Sequence, residues 1–244
     1  MHFPQSVFLF DIEGTTTAIS FVTERLFPFA SEKLNLYVRT HFESLDDIIC
    51  AFRDQAVADI AAGRSDVVAV PEFGRDNIIH AVVQNAQAQI AGDRKITPLK
   101  TLQGMIWSAG YHSGELKGHV FEDVLPAFEH LKEMGTPIYI YSSGSVQAQQ
   151  LLFGYSIVGD LSRYISGYFD TNIGHKGEAN SYCRIAEEIG VKPSHICFLT
   201  DKVSEAEAAK SAGCRAIILN RPGNSETGAH PFEVLSNFSI FGDV

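Results

Sequence analysis

The stretch SVFLFDIEGTTTAISFV, Ser6 to Val22, decides the fold. Its first five residues are mostly apolar, show no strict alternation, and run straight into Asp11, with Glu13, Gly14 and three threonines close behind. Such a run reads as a strand buried on both faces of a parallel sheet. In open α/β sheets ligands bind beyond the carboxyl ends of the strands, and Asp11 stands at one.

Three further runs read the same way: PIYIY at 137–141, HICFLT at 195–200 and CRAIIL at 214–219. Helical patterns separate them. In DVLPAFEHLKEMG, Val124, Leu125, Phe128 and Leu131 share a face, Asp123 is placed to cap the start, Pro126 is tolerated in the first turn and Gly135 ends it. KGEANSYCRIAEEIG and SEAEAAKSAG repeat the theme, each ending in glycine. Strands alternating with helices imply a doubly wound, Rossmann-like α/β core. The alternation is interrupted from about Phe21 to Gly118 by four helical patterns with no convincing strand. The expected organisation is therefore a core of residues 1–20 and 119–244 with a helical cap, 21–118, inserted after the first strand and covering the active edge. The tail from Asn220 reads as irregular, with one short strand or helix.

The 244 residues are 45% hydrophobic, enough for a substantial core, and carry a formal net charge of −10. That balance argues against nucleic acid or anionic lipid as a partner. Cys50, Cys183, Cys197 and Cys214 form no CxxC pair and read as reduced, mostly buried thiols. No leader-like or membrane-spanning apolar segment is evident, so a cytoplasmic protein is expected.

Three strand ends each deliver polar groups: Asp11 after the first, Ser142 and Ser143 after PIYIY, Asp201 after HICFLT. Taken singly, each has a plainer local explanation. DxEG could be a surface turn, SSGS a helix cap, Lys176 a solvated lysine, and Asp201 a cap for the helix beginning near Val203. Together they make a phosphoryl-transfer site. A carboxylate attacking a phosphoryl group needs a cation, and Mg2+ held by Asp11 and Asp201 would supply it. Ser142 or Ser143, with the N–H groups of SSGS at a helix start, would hold phosphate oxygens, and Lys176 would offset developing charge. Glu13 would protonate the leaving oxygen and then activate water.

The order D-x-[DE]-G-T, then Ser, then Lys, then an acidic residue after a further strand, resembles the haloacid dehalogenase superfamily of aspartyl-phosphate phosphohydrolases. DIEGTTTAISFV, LQGMIWSAGYHSGELKGHVFEDV, IYIYSSGSVQAQQLLFGYS and FLTDKVSEAEAA are similar to segments of its enolase-phosphatase (acireductone synthase) family of methionine salvage. The resemblance implies one Mg2+ held by Asp11, the main-chain carbonyl of Glu13 and Asp201, with Ser142, Ser143 and Lys176 binding substrate. It also implies enolisation of 2,3-diketo-5-methylthiopentyl 1-phosphate, a small phosphorylated diketone, followed by hydrolysis to the acireductone and phosphate. A monomer is expected. Two positions depart from the family pattern: Ala18 stands where Pro is expected, and Lys202 follows Asp201 where a smaller or acidic residue is usual. The enolisation base is left open among Glu13, Tyr111, His112, Glu115 and Lys117. The alternatives are a general phosphomonoesterase or mutase acting on small sugar phosphates, and a module that only holds a phosphoryl group. Glu13 argues against the last, because a group that activates water would discharge it.

Overall fold

The computed structural model describes residues 7–92, 94 and 96–241. The chain divides into two compact units, Met1–Thr23 with Leu116–Val244, and Glu24–Glu115.

In the first unit β1 (Val7–Phe10) follows Ser6, which lies outside the described residues, and leads through a tight turn into α1 (Ile19–Phe21). The helical path continues through a π-helical turn, Val22–Leu26, into the second unit. That unit is helical: α2 (Phe27–Thr40), α3 (Asp46–Ala61), α4 (Arg75–Ala91) and α5 (Thr97–Ser113). Here α2 and α3 each pack on α4 and α5 around Leu34, Val38, Phe52, Ile79, Leu102 and Ile106. Trp107 is part of this interior and its indole N–H donates to the Leu26 carbonyl at 2.9 Å.

The chain then returns to the first unit with α6 (Val124–Glu133), β2 (Ile138–Tyr141), α7 (Val146–Gly154), β3 (Gly167–Phe169), α8 (Ala179–Glu188), β4 (Ile196–Thr200), α9 (Val203–Ser211), β5 (Arg215–Leu219) and β6 (Glu233–Leu235). Among the described residues six strands form one parallel sheet in the order β3-β2-β1-β4-β5-β6. The four apolar runs are its central strands. The edges, β3 and β6, are three residues each, and β3 was not evident in the sequence.

The continuous apolar character of β1 has a direct cause. Successive side chains point to opposite faces, and both faces are covered. Phe8 and Phe10 pack into an aromatic cluster with Phe128, Phe238 and Phe241, while Leu9 joins Tyr141, Tyr182, Ile185 and Phe198 on the other side. At the unit boundaries, Phe21 stacks on His119, and Gly118 is tied to Tyr155 and Ile157 by backbone bonds of 2.8 Å. A Cβ at Gly118 would lie 2.1 Å from the Leu152 carbonyl oxygen, so only glycine allows that approach.

Asp123 does not cap α6 with its side chain. Its Oδ2 instead accepts from Arg221 at 2.7 Å and from the Phe238 N–H at 2.6 Å. All four cysteines are free, but only Cys197 and Cys214 are buried, and Cys50 is exposed. No helix among the described residues is long and apolar enough to cross a membrane.

Candidate active site

Asp11 leaves the end of β1 with its N–H on the Leu199 carbonyl, which places it beside Thr200 at the end of β4. It is 4% exposed. Its Oδ1 accepts from the Ile12 N–H at 2.6 Å and faces Lys176 Nζ at 2.6 Å, while Oδ2 accepts a long bond, 3.3 Å, from the Thr200 hydroxyl. Lys176 also meets Glu205 Oε2 at 2.8 Å, and that oxygen accepts from Thr200 at 2.7 Å. Two sequence-distant carboxylates thus converge on one ammonium, 9% exposed, which lies 5.9 and 5.8 Å over the rings of Tyr141 and Phe198.

The loop that carries Lys176 is held from below. The Tyr141 hydroxyl donates to the Gly174 carbonyl at 2.8 Å, and the Tyr182 hydroxyl to the Lys176 carbonyl at 2.7 Å. The serine pair sits at the end of the neighbouring strand. Ser142 is buried, its N–H on the Phe169 carbonyl and its Oγ accepting from the Gly144 N–H at 3.3 Å, so its own hydroxyl hydrogen remains to be donated. Ser143 is exposed. The helix cap is neither of these but Ser145, whose Oγ accepts from the Ala148 N–H.

After Asp11 the chain turns back on itself. The N–H groups of Thr15, Thr16 and Thr17 all point to the Ile12 carbonyl, and Gly14 N–H to the Thr17 carbonyl, so Glu13 is displayed, half-buried, near the turn's tip. The hydroxyls of Thr16 and Thr17 bond the backbone of Asp11 and His119 at 3.1 and 2.6 Å. Both threonines therefore serve the turn, while Thr15 Oγ1 has no hydrogen-bond partner among the described residues. Gly14 has φ +70°, and a Cβ there would lie 2.7 Å from Asp201 Oδ2. The turn can come this close to Asp201 only because that position lacks a side chain.

Charge at the site is unbalanced. Asp11, Asp201 and Glu205 face one lysine. Burial pushes the Asp11 carboxyl up, Lys176 pulls it down, and Glu205 and Asp201 push it up again, with the rise prevailing. Asp201 is raised too, by burial first, with the pull of Lys202 opposing it and Glu205 adding to it. Lys176 is raised despite burial, because Asp11 and Glu205 hold its proton. Asp201 makes no side-chain cap to α9, and its buried Oδ1 has no hydrogen-bond partner among the described residues.

A surplus of buried carboxylate with one oxygen unsatisfied fits a cation. Among the described residues no group of three or more His, Cys, Asp or Glu side chains is arranged to hold one unaided. Two carboxylates completed by main-chain oxygen and water suit Mg2+, which keeps several of its waters. Lys202 is exposed, so the cation in the sequence next to Asp201 does not fill this place.

Glu205 and Thr200 were not picked out from the sequence. An acidic residue in a helix's first turn is the commonest of dipole partners, and its alternative role shows only once α9 is docked beside β4. The groups considered for the enolisation base are variously engaged. His112 is exposed with Nδ1 2.7 Å from the Ser108 carbonyl, Glu115 pairs with Lys33, Tyr111 is buried with its phenol pushed up by burial, and Lys117 is exposed.

A family model described as haloacid dehalogenase-like hydrolase matches residues 6–213. "Enolase-phosphatase E1" of Anopheles gambiae is 47% identical over 234 residues, which is 94% of this chain and 79% of that protein. "Probable bifunctional methylthioribulose-1-phosphate dehydratase/enolase-phosphatase E1 1" of Vitis vinifera is 47% identical over 235 residues, 94% of this chain. The chain spans 46% of that grape protein's length, and 21% of the longer "Enolase-phosphatase E1" of Aedes aegypti. The crystal structure of the UTR4 protein of Saccharomyces cerevisiae has a TM-score of 0.76 at 34% identity, with 95% of this chain and 97% of that one covered.

Proposed function

The chain belongs to the enolase-phosphatase E1 family of haloacid dehalogenase-like hydrolases and is a phosphatase, and from that premise we propose that it acts on 2,3-diketo-5-methylthiopentyl 1-phosphate. The products are the acireductone 1,2-dihydroxy-3-keto-5-methylthiopentene and phosphate, formed by way of the enol phosphate. The grape relative's name supports the substrate. Loss of water from methylthioribulose 1-phosphate generates a diketone phosphate, and in that protein the dehydratase is joined to an enolase-phosphatase.

Asp11 attacks phosphorus, and the bond from phosphorus to the enol oxygen breaks as Glu13 gives that oxygen a proton. Glu13 then takes a proton from water, whose oxygen attacks the aspartyl phosphate; the Asp11 oxygen leaves and phosphate is released. Lys176 keeps Asp11 oriented and neutralises charge on the transferred group, while Ser142 and Ser143 donate to its oxygens. Asp11, Asp201 and the Glu13 carbonyl would hold one Mg2+, which when bound supplies positive charge to the phosphoryl oxygens and to the enolate.

The observation that carries the reading is the shared ammonium of Lys176, 2.6 Å from Asp11 and 2.8 Å from Glu205, next to the unsatisfied oxygen of Asp201. The test is a time-resolved ultraviolet record of the purified protein with Mg2+ and the diketone phosphate. An absorbing enol species should rise before phosphate does. Phosphate release with no enol species at any time overturns the substrate assignment and leaves a general phosphomonoesterase.

A further inference from the structure

We infer that Arg221 and Asn224 are positioning residues for Glu13, reaching from the loop after β5 to hold the backbone of the turn that displays it. The inference rests on the proton-transfer role given to Glu13 above. Both residues lie beyond residue 213, where the family model's match ends.

The two are set side by side by their own local sequence. In Arg221-Pro222-Gly223-Asn224 the Asn224 N–H donates to the Arg221 carbonyl at 3.0 Å, and Gly223 has φ +89°. That is the pattern of a turn that takes Pro second and a positive-φ glycine third. From its two ends the side chains reach the same stretch of backbone. Asn224 Nδ2 donates to the Gly14 carbonyl at 2.9 Å and the Leu219 carbonyl at 3.0 Å, and Arg221 Nε donates to the Thr15 carbonyl at 3.0 Å.

Arg221 is unusually well fixed for a residue with no direct part in the chemistry. It is 5% exposed, pairs with Asp123 at 2.7 Å, donates to the Ser236 carbonyl at 3.3 Å, and lies between the rings of Phe121 and Phe238 at 4.5 and 4.4 Å. A planar, permanently charged guanidinium suits such a place. On the other side of the turn the Thr16 carbonyl accepts from the Phe121 N–H at 3.0 Å, and the Ala18 N–H donates to His119 Nδ1 at 3.2 Å. The three carbonyls following Glu13 are thus each fastened to a remote residue. A general acid and base must meet its partner within hydrogen-bond reach, and a misplacement of 1 Å costs on the order of 10²-fold in rate.

The test compares wild type, Asn224→Ala, Arg221→Lys, Glu13→Gln and the double variant Asn224→Ala/Glu13→Gln in the full chain. Asn224→Ala should lower kcat for phosphate release on the order of 10–10²-fold with KM held within about twofold, and Arg221→Lys should act in the same direction. Amide exchange over residues 13–17 should quicken in both, with segments that touch neither Arg221 nor Asn224, such as α8, unchanged. If Asn224 works through Glu13, adding Asn224→Ala to Glu13→Gln should cost far less than it costs alone. Full additivity, an unaltered kcat, or an unaltered exchange of the turn overturns the inference. Absence of turnover in the wild type would defeat the proposed function instead, and the exchange measurement, which needs no substrate, still decides whether the two residues hold the turn.

Discussion

Lys176 Nζ bridges Asp11 Oδ1 and Glu205 Oε2, at 2.6 and 2.8 Å, in an interior where the lysine is 9% exposed. A buried ammonium is tolerated because it has two carboxylates, and the carboxylates because they share it. Lys176→Met should therefore affect folding and catalysis together. Stability should fall by about 3–5 kcal/mol, read from urea denaturation, and phosphate release on the order of 10²–10³-fold, as loss of one stabilising donor typically does. An active, fully stable variant would remove Lys176 from the site.

Glu13 stands at the tip of the turn rather than in the buried cluster. Glu13→Gln should slow phosphate release on the order of 10²–10⁴-fold. With Glu13 serving the phosphoryl steps as proposed, the enol species should then accumulate in the ultraviolet record, and a variant that forms no enol species would instead assign Glu13 the enolisation proton. Unchanged release from the enol phosphate would assign the proton transfer elsewhere.

On the proposed reading Asp201, whose buried Oδ1 has no hydrogen-bond partner among the described residues, is a Mg2+ ligand and turnover requires the cation. Chelation with EDTA should abolish turnover and Mg2+ should restore it. In Asp201→Asn the Mg2+ concentration for half-activity should rise by more than the roughly 10–100-fold seen when a residue behind a metal ligand is lost. A Mg2+ titration of initial rate measures this, and an unshifted midpoint would exclude Asp201 as a ligand.

Gly14 combines φ +70° with a Cβ position 2.7 Å from Asp201 Oδ2. Gly14→Ala should cost about 1–2 kcal/mol for the left-handed backbone alone, and it should raise the Mg2+ requirement because Asp201 must move. Thermal melting and the same titration, run together, separate the two effects.

In the helical unit, Arg94 holds Asp59 through bonds of 2.5 and 2.7 Å. Those bonds, opposed by burial and helped by Gln55, keep the carboxyl below its ordinary value of 3.8. A folded pKa below the unfolded one gives stability that is fully present above about pH 4 and is lost as pH falls through the folded value. Asp59→Asn should lower the melting temperature at pH 7 and flatten its decline between about pH 4 and pH 2 relative to wild type. Parallel declines in the two proteins would show that the pair does not contribute.

Much of the fold is legible because burial on two faces leaves a mark in one dimension. Phe8, Leu9 and Phe10 cannot alternate with polar residues when Phe128 covers one side and Tyr182 the other. The edge strand Gly167–Phe169 carried no such mark, since it is short and only Phe169 is buried. Asp123 shows the opposite failure. Its position before α6 is that of a helix cap, yet a guanidinium 98 positions away claims its carboxylate.

What the sequence determined by itself is the sheet's centre, and with it the carboxyl edge on which Asp11, Ser142 and Asp201 stand, because apolar strands that need cover on both faces can place polar groups only at their ends. Tertiary structure alone decided how that edge is wired. Glu205 reads as an ordinary first-turn acid, and Arg221 and Asn224 as polar loop residues, until folding brings them to Lys176 and to backbone carbonyls 206 and 210 positions away. Local propensity is set by near neighbours, whereas a hydrogen bond across such a separation exists only after the sheet has closed the intervening chain.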